Sequence, residues 1–193
     1  IAVGRLDELF AQIDGLNAHD PEQADADTTS IPAALLYGQR MSHVLETFEP
    51  EASEELTIAA RGQHIERWLR PRSGYPEGRE GYLAWRRDAA RYHAERVTGL
   101  MASCGYDEAT RERVSALMRK KHLKSDPEAQ TLEDVACLVF LQWYAGAFSQ
   151  KHAMDKILPI ISKTAAKMSA KGRAAALKLN LPPPVAAAIA EAG

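Results

Sequence analysis

The 193-residue sequence contains only two cysteines, Cys104 and Cys137, which are too few for a disulfide framework. Both lie in segments with helical periodicity, so we expect reduced, partly buried thiols. No apolar run reaches the roughly 18 residues that a membrane-spanning helix needs. The segment from Ile1 to Phe10 is amphipathic and acidic, unlike a signal peptide. These features predict a cytoplasmic protein with no membrane partner.

The sequence also lacks the short motifs that identify several enzyme classes. It has no glycine-rich phosphate loop, nucleophile elbow, paired CxxC motif or HExxH helix. The formal net charge of -2 argues against a generally nucleic-acid-binding surface, although a local basic patch stays open. Hydrophobic residues make up 46% of the chain and charged residues 26%, which is typical of a globular protein.

Apolar residues recur at helical spacing along the chain, whereas no useful alternating strand pattern and no internal repeat occurs. We therefore predict an all-α bundle that forms one domain over residues 1–193. Polar, turn-rich residues 20–29 predict a loop, and Ser30 is the expected N-cap of the second helix. The predicted helices span about 3–16, 31–48, 53–68, 80–104, 107–122, 131–148, 152–169 and 170–178, with a short helix after Pro182-Pro183-Pro184.

Three dispersed residues form the candidate metal site: His64, His93 and Asp134. Each lies on a predicted helix among apolar neighbours, and a buried imidazole or carboxylate needs a partner. Imidazole and carboxylate ligands together suit a divalent transition metal ion, and helical bundles bring such ligands together from facing helices. Glu133 and His122 are further candidates. The alternative is that each histidine is structural and that acids near residue 134 stabilise a helix N-terminus.

Cations are dense around these residues. Arginine forks suit phosphate oxygens, and interleaved aromatic rings can stack on a base or sugar. We predict ligand binding by Arg72, Tyr75, Arg86, Lys120 and Lys121. The alternative is that Arg86, Arg87 and Arg91 pair with acids along a solvated helix face. The cations are Arg61, Arg67, Arg70, Arg72, Arg79, Arg86, Arg87, Arg91, Lys120, Lys121 and Lys124, and the aromatics are Trp68, Tyr75, Tyr82, Trp85 and Tyr92.

The segment AARGQHI, residues 59–65, resembles the helix of the HD-domain phosphohydrolase superfamily that bears its paired His-Asp. In that comparison Gln63 stands at the His and His64 at the Asp, while Gln39 stands at the first ligand and Asp134 at the final Asp. The resemblance covers about residues 35–141. It implies an HD-domain-like core at about 31–149, with additional C-terminal helices at about 152–193.

A second resemblance covers nearly the whole chain. It is carried by the blocks LYGQRM at 36–41, QHIERW at 63–68, PRSGYP at 71–76, GYLAWR at 81–86 and DPEAQTLEDVACL at 126–138. These blocks are similar to the family called domain of unknown function 4202. The resemblance implies membership in that family and brings no particular activity with it.

Two functions follow as expectations. The first is a metal-dependent phosphohydrolase acting on a phosphorylated or nucleotide-type ligand, with His64, Asp134 and Arg67 as catalytic residues and a metal-activated water. The alternative is a non-catalytic module that binds a nucleotide, RNA or another anion through the same arginines; the missing acidic ligands favour it. The sequence leaves the substrate, the metal and the oligomeric state open.

Overall fold

The computed structural model describes residues 3–193, apart from the side chain of Lys151; Ile1 and Ala2 of the predicted amphipathic segment lie outside the described residues. Helix accounts for 71% of the structure and strand for 4%, so the prediction of a mostly helical protein is confirmed. The helices of the described part are α1 (Arg5–Asn17), α2 (Ala33–Phe48), α3 (Glu54–Gly62), α4 (Arg79–Ser103), α5 (Glu108–Met118), α6 (Pro127–Val139), α7 (Ala145–Lys151), α8 (Met154–Lys167), α9 (Ala170–Ala176) and α10 (Pro183–Glu191).

Two short strands occupy part of the segment predicted as a loop. β1 (Gln23–Ala26) pairs antiparallel with β2 (Thr29–Pro32), and Ala26 lies opposite Thr29. Asp27 has a φ of 54°, the left-handed conformation that tight hairpin turns require. The loop prediction for residues 20–29 is therefore wrong, because four-residue strands without apolar alternation carry little sequence signal.

The N-terminus of α2 is capped by a residue far from it in sequence. Ser30, the expected N-cap, lies in β2. Instead, Oδ2 of buried Asp20 accepts a hydrogen bond of 2.9 Å from the Ala34 backbone N–H, and Oδ1 accepts one from Glu22. One carboxylate therefore satisfies an otherwise unpaired helix N–H across the hairpin.

The chain divides into two compact units. The first comprises Ile1–His43 with Glu51–Lys121, and the second comprises Val44–Pro50 with His122–Gly193. The first unit therefore holds α1, the hairpin, most of α2 and α3 to α5. The second holds the last residues of α2 and α6 to α10. The prediction of one domain over residues 1–193 stays a prediction.

The core of the first unit is built from the apolar faces of five helices. Ser53 caps α3 and Asp107 caps α5, each by accepting a hydrogen bond from a backbone N–H in the first turn. Gly105, with a φ of 89°, ends α4 as the sequence predicts. The fully buried side chains are Leu9, Ile13, Met41, Leu56, Ile58, Ile65, Val97, Met101, Val114 and Leu117.

The second unit packs α8, α9 and α10 with α6. Asp126 caps α6 and Pro127 occupies its first turn, so α6 begins four residues before the predicted Thr131. A π-helical stretch, Phe140–Tyr144, separates α6 from α7. Deeply buried apolar side chains of this unit are Leu132, Val135, Val139, Ile157, Ile161, Ala165 and Ile189.

Across residues 3–193, no helix has both the length and the apolar character required to cross a membrane.

We predict that Gly62→Ala lowers the free energy of unfolding by about 1–3 kcal/mol, the usual range for overpacking a dense core. A β-carbon on Gly62 would lie 2.5 Å from Cγ2 of Val97, which is fully buried on α4. The control is Gly99→Ala on α4, because a β-carbon there meets no atom within 4 Å. It should raise stability by about 0.5–1 kcal/mol through helix propensity. Equal effects of both variants in denaturant titrations would contradict the assigned packing.

Candidate functional site

His64 lies in a turn and not on a helix. α3 ends at Gly62, Gln63 follows as its C-cap, and a short 3-10 turn begins at Arg67. The prediction that this helix continues to about Trp68 is wrong because Glu66 has a φ of 53°, a left-handed conformation that no α-helix continues. The QHIERW block is therefore a connection that lies against α4.

Glu66 fixes this connection in place. Its backbone N–H donates to Oδ1 of Asn17 on α1 at 2.9 Å. Its Oε1 accepts from Nε of Arg96 at 2.6 Å and from the hydroxyl of Tyr92 at 3.3 Å, both on α4. Glu66 and Asn17 are buried, so these polar groups satisfy one another away from solvent. The burial beside Glu66 also raises the pKa of Tyr92.

The half-buried His64 ring is stacked on Tyr37 of α2, with ring centroids 4.2 Å apart and an angle of 11° between the planes. Its Nδ1 accepts a hydrogen bond of 2.9 Å from the Arg67 guanidinium. Because a guanidinium can only donate, the ring hydrogen of neutral His64 lies on Nε2. Burial, followed by the charge of Arg67 and its neighbours His93, Lys120 and Arg86, lowers the pKa of His64 well below its ordinary value.

His93 lies behind His64, with ring centroids 5.9 Å apart. Its Nδ1 donates to the backbone carbonyl of Ile65 at 2.7 Å and thereby joins α4 to the connection. Burial, reinforced by the charges of Arg67 and Arg70, lowers the pKa of His93 to about 4, although the bond to Ile65 opposes the shift. Both imidazoles are therefore neutral at pH 7.

Three arginines beside these histidines contact aromatic rings and not carboxylates. The guanidinium of Arg67 lies 5.5 Å from the centre of the Trp85 ring, that of Arg70 lies 4.4 Å from Tyr92, and that of Arg86 lies 5.8 Å from Tyr82. Among residues 3–193, none of these three guanidiniums has an acidic partner within ion-pair distance. We call Arg67, Arg70 and Arg86, together with Lys120, the cation cluster.

Two acids near the cation cluster, Glu66 and Asp88, have other cationic partners. Glu66 contacts Arg96, and Asp88 lies 3.6 Å from Arg91 and 3.9 Å from Arg87. The alternative that the cations of α4 form a solvated ion-paired face therefore describes Arg87 and Arg91 well. It does not describe Arg86, which points a half-buried side chain toward Tyr82.

The remaining predicted ligand residues have more local contacts. Arg72 donates to the backbone carbonyls of Tyr75 at 3.1 Å and Gly78 at 3.3 Å, which orders the loop between α3 and α4. The Tyr75 hydroxyl donates to Asp88 at 2.8 Å, and this bond raises the pKa of Tyr75. Lys120 is half-buried with a left-handed φ of 55°, whereas Lys121 is exposed.

Asp134 belongs to the second unit, where it joins α6 to the N-terminus of α9. Its carboxylate accepts from the backbone N–H of Ser169 at 2.8 Å, from the Ser169 hydroxyl, and from Nε2 of Gln130 at 3.1 Å. Ser169 in turn caps α9 through the Gly172 N–H at 3.0 Å. Glu133 is also buried, while His122 is exposed with a φ of 60°.

The described contacts do not fit a resident metal on the predicted trio. Nδ1 of His64 and Nδ1 of His93 are engaged by Arg67 and Ile65, and the Asp134 carboxylate is engaged by Ser169 and Gln130. Within the described part of the chain, no group of three or more His, Cys, Asp or Glu side chains is placed to hold a metal ion. The divalent metal therefore stays a prediction, and we route no step through it.

Sequence reasoning missed the residues that position the candidate site. Tyr37, Asn17 and Arg96 come from α2, α1 and α4, and none belongs to a motif that marks it as a neighbour of His64. The one available signal was Glu66 itself, an acid in a short connection dense in arginines. An acid in such a position needs a cationic partner once it is buried.

The fold and this site define a mostly helical protein whose first unit holds two neutral histidines beside uncompensated arginines. The family described as Domain of unknown function (DUF4202) matches residues 7–189, so the chain belongs to that family. No curated protein and no solved structure matches the chain.

We predict that stability falls as the pH drops from about 6.5 to about 4. The pKa of His93 is about 4 in the folded protein against 6.5 ordinarily, so the unfolded chain binds a proton in this window before the folded one does. The stability is fully present above pH 6.5, and the loss approaches about 3 kcal/mol. His93→Gln, which keeps a donor for Ile65 but cannot titrate, should flatten the slope in urea titrations at several pH values. An unchanged slope would count against the buried neutral imidazole.

We also predict that Asp134→Ala lowers the unfolding free energy by at least about 2 kcal/mol, because it removes a buried acceptor of several hydrogen bonds. Ser169→Ala should cost about 1 kcal/mol, as loss of a helix cap usually does. Because the two side chains are in contact, the double variant should show a coupling energy of at least about 0.5 kcal/mol. Strict additivity would show that the two residues act independently.

Proposed function

We propose that the first unit binds a small phosphorylated molecule through the cation cluster of Arg67, Arg70, Arg86 and Lys120 beside His64. The observation that carries this proposal is the way in which the arginines are held. Their partners are aromatic rings and a neutral imidazole, so the positive charge of these three arginines is not cancelled by carboxylates.

A guanidinium that lies over an aromatic ring keeps its hydrogen-bonding capacity. Its five N–H donors lie in the plane of the group, whereas the ring contacts its face. These ring contacts therefore position Arg70 and Arg86 without consuming their donors, and Arg67 uses one donor on His64. Such pre-oriented forks match the oxygens of a phosphate group, which bind arginine bidentately.

His64 adds a neutral N–H donor to the charged donors of the arginines. Since Nδ1 accepts from Arg67, the neutral ring offers Nε2–H, which suits an anionic oxygen and not a cation. Two left-handed residues support the same proposal: Glu66 in the connection between α3 and α4, and Lys120 just after α5. Such conformations cost about 1–3 kcal/mol each and tend to occur at functional sites.

Binding of the phosphate group is expected to stabilise the protein against unfolding, because a ligand that binds only the folded state raises its stability. Inorganic phosphate, pyrophosphate, AMP and adenosine are the probes, measured by thermal shift and calorimetry without added metal. AMP that binds more tightly than phosphate would indicate that an aromatic ring of the site stacks on the base. Adenosine that stabilises the protein as well as AMP does would contradict the proposal.

Arg86→Gln should weaken phosphate binding at least about tenfold, in line with the loss of a charged hydrogen bond. The control is Arg87→Gln, one position along α4, because Arg87 is exposed and lies 3.9 Å from Asp88. Charge interactions at such an exposed position contribute at most about 1 kcal/mol. The Arg87→Gln variant should therefore bind phosphate with an affinity within about fivefold of that of the original protein. Equal losses of phosphate affinity in both variants would show that the anion binds at another site.

Metal-dependent hydrolysis of a phosphoester at the same site remains a separate prediction. Elemental analysis of the purified protein and phosphate release in the presence of Mn²⁺ or Mg²⁺ test it. Stoichiometric metal together with turnover that Arg86→Gln abolishes would support an enzyme. Phosphate binding with neither metal nor turnover would support a binding module.

A further inference from the structure

Lysine and arginine are unevenly distributed along the chain. Every lysine lies at position 120 or later, whereas the preceding residues carry arginine alone. Residues 151–193 contain seven lysines and arginines but only two acids, Asp155 and Glu191, although the whole chain has a net charge of -2. The C-terminal helices are therefore a basic segment of an otherwise acidic protein.

Three lysines of this segment share one face of α8. Lys156, Lys163 and Lys167 are separated by seven and four residues, spacings that return to the same side of an α-helix. At a rise of about 1.5 Å per residue, they form a row of roughly 16 Å along the helix. All three side chains are exposed. We call Lys156, Lys163 and Lys167 the lysine row.

The lysine row differs from its basic neighbours in what it contacts. Lys171 lies 3.1 Å from Glu49 and over the ring of Phe48, and Arg173 donates to the Met168 carbonyl at 2.6 Å. No lysine of the row has an acidic partner within ion-pair distance among residues 3–193. Structural pairing therefore accounts for Lys171 and Arg173 but leaves the row with uncompensated charge.

The opposite face of α8 is already used. Ile157, Ile161 and Ala165 are buried within the second unit, so α8 has no apolar face to insert into a lipid surface. On the same side of α8, exposed Pro159 and half-buried Ile160 lie between Lys156 and Lys163, and exposed Ala166 lies about one turn beyond Lys163. Charge is therefore the main feature by which the lysine row can recognise a partner.

We propose that the lysine row of α8 is a docking surface for the phosphate backbone of a nucleic acid, bound without regard to its sequence. A row of compact, flexible ammonium groups fits such a repeating anion, because backbone contacts need charge at intervals and little geometric precision. Counterions released from the nucleic acid supply the driving force, so binding weakens with salt. This surface is distinct from the cation cluster of the first unit.

Fluorescence anisotropy with a single-stranded RNA of about 20 nucleotides tests the proposal. At about 50 mM salt, the full chain should bind with a dissociation constant of roughly 10⁻⁶ to 10⁻⁴ M. The triple variant Lys156→Gln, Lys163→Gln, Lys167→Gln should weaken binding about tenfold or more. It should also reduce the slope of log affinity against log salt by about 2, at about 0.7 for each cation removed.

The matched control removes the same charge from the first unit. Arg87→Gln, Arg91→Gln, Arg119→Gln changes three exposed arginines and should leave RNA binding within about twofold. Melting curves of both triple variants verify folding. RNA binding that the lysine variant retains, or that the arginine variant loses equally, would overturn the proposal. So would binding to phosphatidylserine vesicles without binding to RNA.

Discussion

The buried carboxylate of Glu66 is the interaction on which the first unit depends. It accepts hydrogen bonds from Arg96 and Tyr92 of α4, while the backbone N–H of the same left-handed residue donates to Asn17 of α1. The Arg96 side chain is 41% exposed, so solvent screens this ion pair, and its main role is to supply the buried Glu66 carboxylate with a donor. Because His64 and Arg67 lie within three residues of Glu66 in the same connection, their positions follow from this single anchored turn.

The helical class of the protein was predictable because apolar residues at a 3.6-residue period dominate the chain. The end of α3 was not predictable, because the apolar pattern runs past Gly62 and gives no sign that Glu66 adopts a left-handed φ of 53°. The hairpin was missed for a related reason: its strands are too short to establish a period of two. Periodicity indicates which face of a helix is buried. The points at which helices and strands end depend on contacts between residues distant in sequence, which periodicity does not record.

The types of residue in the candidate site could be predicted from the sequence. Which of those residues lie close together in the fold was harder to predict. Histidine and arginine around position 64 indicated anion chemistry, and the structure brings His64, His93, Arg67 and Arg86 into one neighbourhood. Asp134 resembled a ligand because it is a buried acid. Burial of an acid requires a hydrogen-bonding partner of any kind, and Ser169 meets that requirement as well as a metal would. A sequence records that a partner is needed but not which one.

The separation of arginine from lysine has a consequence for the chemical modification of the protein. Acetylation removes the charge of an ammonium group and leaves guanidinium groups untouched. Because no lysine precedes position 120, such a modification reaches the cation cluster only at Lys120, whereas it would neutralise all three positions of the row on α8. The charge of the C-terminal helices is therefore open to adjustment by enzymes or reagents that act on amines, and the arginine charge beside His64 is not.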